Sequence, residues 1–168
     1  LLGILDYAGA ENIAILDGGI MAWELADYDI SDEEPDWEEK TFAIKSRKIL
    51  IVDSVYLKEN LDNPNMKIVD VRVMQQSTGL MGHGLADRPG CIPGSVKFPL
   101  PGLFMDDSYL KSAEELLWVL RERNIRPNQT IVVSCNTGNW AAAAMFMLRY
   151  LGYPDVKLHD ESWINWKD

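Results

Sequence analysis

Apolar positions along the chain follow two rhythms. Compact apolar runs at 67–71, 95–98, 130–134 and 156–159 read as strands, whereas 54–61, 112–124 and 139–151 repeat their apolar residues at helical spacing. Ser112-Ala-Glu-Glu115 forms a capping box, which opens the second of these helices, and Asp62-Asn-Pro-Asn65 ends the first. A long glycine-rich stretch occupies 77–94, and a short helix is expected after the last strand. Strands alternating with helices predict an α/β fold, a mostly parallel central sheet with helices on both faces.

The pattern also repeats. Residues 4–23 align without a gap on 147–166, pairing Leu5 with Leu148, Tyr7 with Tyr150, Gly9 with Gly152, Asp17 with Asp160 and Trp23 with Trp166. Apolar positions agree as well, Ile13 with Val156 and Ile15 with Leu158. Each copy reads as a helix end, a glycine stop, a short strand and a turn into an aromatic-bearing helix. Residues 1–26 are therefore expected to be the tail of an upstream α/β unit. Residues 27–48 read as linker and 49–168 as a complete domain. Three short elements bury too little apolar surface to fold alone. The segment should dock on this domain or on a neighbouring chain unless it stays poorly ordered.

Charge changes this picture little. The net charge of −10 is concentrated between residues 24 and 40, where nine acidic side chains face Lys40 alone. Such a stretch, with Pro35 inside it, is a solvated linker rather than a nucleic-acid surface. No apolar run is long enough to span a membrane as a helix. Cys91 and Cys135 are too few for a disulfide framework and lack metal-site spacing. No metal or cofactor is expected, and localisation is left open.

The candidate chemistry lies at Ile131-Val-Val-Ser-Cys135-Asn-Thr-Gly-Asn-Trp140, where a strand delivers one cysteine into a polar loop that opens into a helix. A solitary cysteine is ordinarily a small packed hydrophobe. Here Gly138 permits the turn, and unpaired amides at a helix N-terminus favour an anion, so the position reads as a nucleophile. It also lies at a strand's C-terminal end, where open α/β sheets bind ligands.

Further motifs surround it. Ile68-Val-Asp70-Val-Arg72, Gly90-Cys-Ile-Pro93-Gly94-Ser95 and Asp160-Glu-Ser162-Trp163-Ile-Asn-Trp166, with Leu16-Asp17-Gly18-Gly19 and Trp23 echoing the last, resemble the signature strand, central motif and closing motifs of the rhodanese-type sulfurtransferases. The likeness is to the second domain of a tandem thiosulfate or mercaptopyruvate sulfurtransferase. It implies a rhodanese-like fold and transfer of a sulfane sulfur from a small-molecule donor, thiosulfate or 3-mercaptopyruvate, to a thiol or cyanide acceptor. Cys135 would be the persulfide-bearing nucleophile. The amides of Asn136, Thr137, Gly138, Asn139 and Trp140 would ring the transferred sulfur. Asp70 would brace the loop or accept a strand-end hydrogen bond. Arg72, and less directly Arg88, would draw in an anionic donor or form a surface salt bridge.

Some residues depart from the family pattern. The loop carries no cation, which disfavours the thiosulfate dianion. Trp140 would narrow the mouth or pack on the domain. Cys91 replaces the motif histidine and reads as a packed side chain, with a disulfide to Cys135 as the alternative. His83 and His159 read as surface or packing residues, and Trp23, Trp163 and Trp166 as core. The sixth position after Cys135 is Ala141 rather than the arginine a phosphatase loop of this fold needs. A non-catalytic partner-binding module remains the rival reading, because fold does not fix function.

Overall fold

The structure is a computed structural model and describes residues 2–47, 50–86, 88–105 and 109–166. Five strands form one parallel sheet in the order β1 (Ile51–Val52), β7 (Val156–His159), β6 (Thr130–Ser134), β2 (Met66–Asp70) and β3 (Val96–Lys97). The sheet centre is β6, aligned with β2 from Met66↔Thr130 to Asp70↔Ser134. Its runs read as continuously apolar because both faces are covered.

Successive strand residues point to opposite faces, and the packing divides accordingly. Val69, Ile131, Val133, Val156 and Leu158 join Leu116 and Leu120 of α5 (Ala113–Glu122) and Ala144 and Leu148 of α6 (Asn139–Tyr150) in one core. Met66, Ile68 and Val132 join Leu57 of α3 (Ser54–Glu59) and Trp163 of α7 (Ser162–Asn165) in the other. The expected α/β architecture with helices on both faces is thus present. The capping box at Ser112 is formed on both sides, the Glu115 side chain receiving the Ser112 backbone N–H at 3.0 Å.

Three local features differ from the sequence reading. Strand β1 and an antiparallel pair, β4 (Phe104–Met105) with β5 (Tyr109–Leu110), were not expected. Each is two residues long and shows no alternation to read. The strand expected around Ile13 and Ile15 does not form, although α1 (Leu2–Tyr7) and α2 (Gly19–Leu25) flank it. Its counterpart β7 is held between β1 and β6, and among the described residues nothing pairs with the N-terminal copy.

Gly3, Asp6 and Asp17 of the N-terminal segment contact the rest of the chain. Gly3 approaches Ala142 of α6 closely enough that a Cβ would sit 3.0 Å from the alanine methyl. Asp6 is buried and paired with both Arg47 and Arg149. The Leu110 amide donates to the Asp17 carboxylate at 2.9 Å. Residues 28–46 lack helix and strand and are exposed throughout.

Candidate active site

Strand β6 ends at Ser134, so Cys135 is the first residue beyond the C-terminal edge of the central strand. The chain then turns through Gly138, whose φ of 89° lies in the left-handed region open to glycine, and enters the twelve-residue α6. A Cβ at Gly138 would approach the Asp160 carbonyl oxygen to 3.2 Å, so the tight turn also needs the missing side chain. The result is one defined contact, with the Gly138 N–H donating to Cys135 Sγ at 3.1 Å. Among the described residues no other loop amide donates to the resting sulfur.

Helix α7 holds the loop from behind. The Trp163 amide donates to the Cys135 carbonyl at 3.0 Å and the Ile164 amide to the Asn136 carbonyl at 3.2 Å. Ser162, fully buried at a φ of 50°, accepts the Cys135 N–H at 3.3 Å and donates to the His159 carbonyl at 2.9 Å. The closing motif therefore fixes the backbone on which the thiol sits.

In front of the thiol lies a pocket of about 280 Å³. Cys135, Asn136, Thr137, Asn139 and Trp140 line it from the loop and the start of α6, Val73 and Gln76 from α4 (Met74–Ser77) and its N-cap, and His83 from the glycine-rich segment. The Asn136 side-chain amide donates to Gln76 Oε1 at 2.8 Å, while Asn136 Oδ1 is buried without a partner. Trp140 is half-exposed at the mouth. Cys135 itself is 3% exposed, so access runs through this pocket.

For Arg72 and Asp70 the geometry matches the second of the two roles expected of each, an ion pair and a strand-end acceptor. Arg72 does not line the pocket; it is buried and held by the Asp70 carboxylate, with Nε–Oδ1 at 2.9 Å and Nη2–Oδ2 at 2.6 Å. It also donates to the Gly90 carbonyl at 2.8 Å and lies 4.8 Å from the Trp163 ring. A guanidinium so engaged has no reason to leave for an anion in solvent. Asp70 accordingly braces Arg72, and through it Trp163, rather than the loop directly. Arg88 lies over the same ring at 5.2 Å and donates to the Trp166 carbonyl at 2.7 Å. Cys91 is half-buried, and both cysteines are free thiols.

The histidines diverge. His159 is fully buried between Ser54 Oγ, 3.1 Å from Nε2, and Ser134 Oγ, 3.0 Å from Nδ1. Burial pulls its pKa from 6.5 down to about 4, against the upward influence of Glu161, Asp160 and Asp53. It is a packing residue, as expected. His83 was read in the same way, yet it lines the pocket. No local signal marks it, because the path of the glycine-rich segment brings it there.

Comparison with known proteins agrees with this arrangement. The Rhodanese-like domain family matches residues 33–168. The chain is 28% identical over 161 residues to 3-mercaptopyruvate sulfurtransferase of Rattus norvegicus, an alignment covering 94% of this chain and 54% of that protein. It is 26% identical over 159 residues to thiosulfate sulfurtransferase of Gallus gallus, with the same two coverages. The chain thus spans about half the length of the curated relatives it matches. Among solved structures, an EanB variant with ergothioneine covalently linked with a persulfide cysteine superimposes at a TM-score of 0.88. That match has 26% identity and covers 98% of this chain and 41% of the other. With most of its length matched by one family and its strand order, helices and cysteine loop in place, the chain belongs to the rhodanese-like domain family.

Proposed function

We propose that this domain is a sulfurtransferase that carries a sulfane sulfur on Cys135 as a persulfide. The observation that carries the reading is the 3.1 Å hydrogen bond from Gly138 N–H to the thiol, at the start of a long helix and facing a pocket. An amide donor so placed stabilises the negative charge of a persulfide formed on this sulfur. The names of the two sulfurtransferase relatives and the persulfide in the similar structure support it.

The first half-reaction is a displacement at sulfur. With thiosulfate, the Cys135 thiolate bonds to the outer sulfur, the donor S–S bond breaks and sulfite leaves with the electron pair. With 3-mercaptopyruvate, the thiolate bonds to the thiol sulfur and the C–S bond breaks toward carbon. The resulting pyruvate enolate takes the sulfhydryl proton. In the second half-reaction a thiol or cyanide attacks the outer sulfur and Cys135 departs as thiolate. Cys135→Ser should abolish turnover with every donor and acceptor pair. Retained turnover would place the sulfur on another group, and a wild-type domain inert to both donors would favour the partner-binding reading.

We also propose that residues 1–26 end a preceding domain of the same fold. The repeat supports this through burial: Ile4, Ile15 and Trp23 are 69%, 51% and 37% exposed, while their counterparts Met147, Leu158 and Trp166 are 4%, 7% and 4% exposed. The same apolar pattern is satisfied in one copy and not in the other. An apolar cavity of about 790 Å³, bordered by Ile13, Ile15, Leu103 and Phe146, lies between this segment and the domain.

A further inference from the structure

The internal repeat packs against itself at one contact. Residues 4–7 of α1 are the counterparts of 147–150 of α6, and α1 lies against α6. Asp6 pairs with Arg149 across that contact, and the two stand 143 positions apart, which is the offset of the repeat itself. Each residue therefore meets its own counterpart. In an interface built on a two-fold axis residue i touches j while j touches i, so a residue that meets its own counterpart lies on the axis. The close approach of Gly3 to Ala142 then has a mate. Phe146, the counterpart of Gly3, would be met by the counterpart of Ala142, which falls just before residue 1. Phe146 is half-buried and borders the apolar cavity, with exposed Ala143 and Tyr150 one turn to either side. Spaced at i, i+3 and i+7, the three form one apolar stripe along α6. Charge decides which partner that stripe admits. A second copy of this chain about the same axis would set Arg149 against Arg149, whereas the first repeat carries Asp6 at that place.

Resting on the preceding-domain reading above, we propose that the α6 face around Arg149 is the pairing surface for that domain, set about a pseudo-two-fold axis through the Asp6–Arg149 contact. Opposite charges at equivalent positions let the face accept the unlike copy of the fold and reject its own kind. Asp6 is buried and held by Arg47 as well, which keeps the carboxylate on the axis. The stripe from Ala143 to Tyr150 supplies apolar area, and the body of the preceding domain covers it.

Two measurements test this. The first is a double-mutant cycle in this chain, Asp6→Asn, Arg149→Gln and both together, read as hydrogen exchange of the amides at 6–8. Each single change should speed exchange by about tenfold or more, the scale of one lost charge-assisted hydrogen bond. The double change should match Asp6→Asn alone, because Arg149 has then already lost its partner. Additive effects would overturn the pairing on the axis. The second measurement joins a copy of residues 49–143 before residue 1, which completes the first repeat because residue 1 continues where 143 ends. Labelling of Phe146→Cys by uncharged N-ethylmaleimide, read on the peptide containing position 146, should be fast in the chain alone and lost in the completed protein. Unchanged labelling while residues 13–16 gain exchange protection would overturn the pairing surface and leave the preceding-domain reading standing. No gain at residues 13–16 would overturn both. A wild-type chain that sediments as a dimer, with its Phe146→Cys variant shielded from the reagent, would give the face to a second copy and overturn the charge rule.

Discussion

Lowering the pH from neutrality forces a choice on His159. The ring is fully buried, and both nitrogens already have hydroxyl partners in Ser54 and Ser134. Hydroxyls accept as readily as they donate, so protonation breaks neither contact. What opposes it is the loss of water around the charge, which holds the pKa at about 4 rather than 6.5. Because the folded value is depressed, the unfolded chain takes the proton first. Stability is therefore complete above pH 6.5, falls as the pH drops and levels off below about 4. At about 1.4 kcal/mol per pH unit the total is about 3 kcal/mol. About 2 kcal/mol of this is lost between pH 7 and pH 5, so with a urea slope of about 2 kcal/mol/M the midpoint should fall by about 1 M over that range. His159→Gln retains hydrogen-bonding groups without a titrating ring and should show no such fall. Glu161, held below its ordinary 4.5 by hydrogen bonds from Ser54, loses its contribution only in more acidic solution and does so in both proteins. Urea titrations at pH steps from about 7 to about 5 isolate the histidine. Parallel midpoint curves for the two proteins would refute the reasoning.

Two further outcomes follow from the turn and from the N-terminal segment. Gly138→Ala places a Cβ 3.2 Å from the Asp160 carbonyl oxygen at a left-handed φ, so it should cost about 1 to 3 kcal/mol by denaturant titration. It should also slow sulfur loading by about a hundredfold, as when an oxyanion-hole donor is displaced; loading at the wild-type rate would show that this N–H does not matter. Amides of residues 13–16, which pair with no strand among the described residues, should exchange with solvent almost freely in this chain and gain protection when a domain of the proposed kind is joined before residue 1. Strong protection in the chain alone would remove the need for a preceding domain.

How much of this was legible in the sequence depended on how local each signal was. Strands β2, β6 and β7 and helices α5 and α6 announce themselves through apolar runs, a capping box and helical periodicity, each contained in a few consecutive residues. Cys135 was legible for the same reason, because strand, loop glycine and helix adjoin it. The Asp70–Arg72 pair had a readable sign: residues two apart in an extended chain share a face, which puts Asp70 beside Arg72. His83 had no such sign. Its place at the pocket follows from the route of a long glycine-rich segment, which tertiary packing sets. The unformed strand at Ile13 and Ile15 shows the converse limit, since an apolar pattern suited to a strand stays irregular where no neighbouring strand meets its backbone groups.

The central claim is that the sulfur in transit is bonded to Cys135. Peptide mapping by mass spectrometry after brief exposure of the wild-type domain to 3-mercaptopyruvate tests it most directly, because Cys91 provides an internal comparison. One additional sulfur atom is expected on the peptide containing Cys135, removable by a thiol acceptor, and none on the peptide containing Cys91. Sulfur found only on Cys91, or on neither peptide, would contradict it.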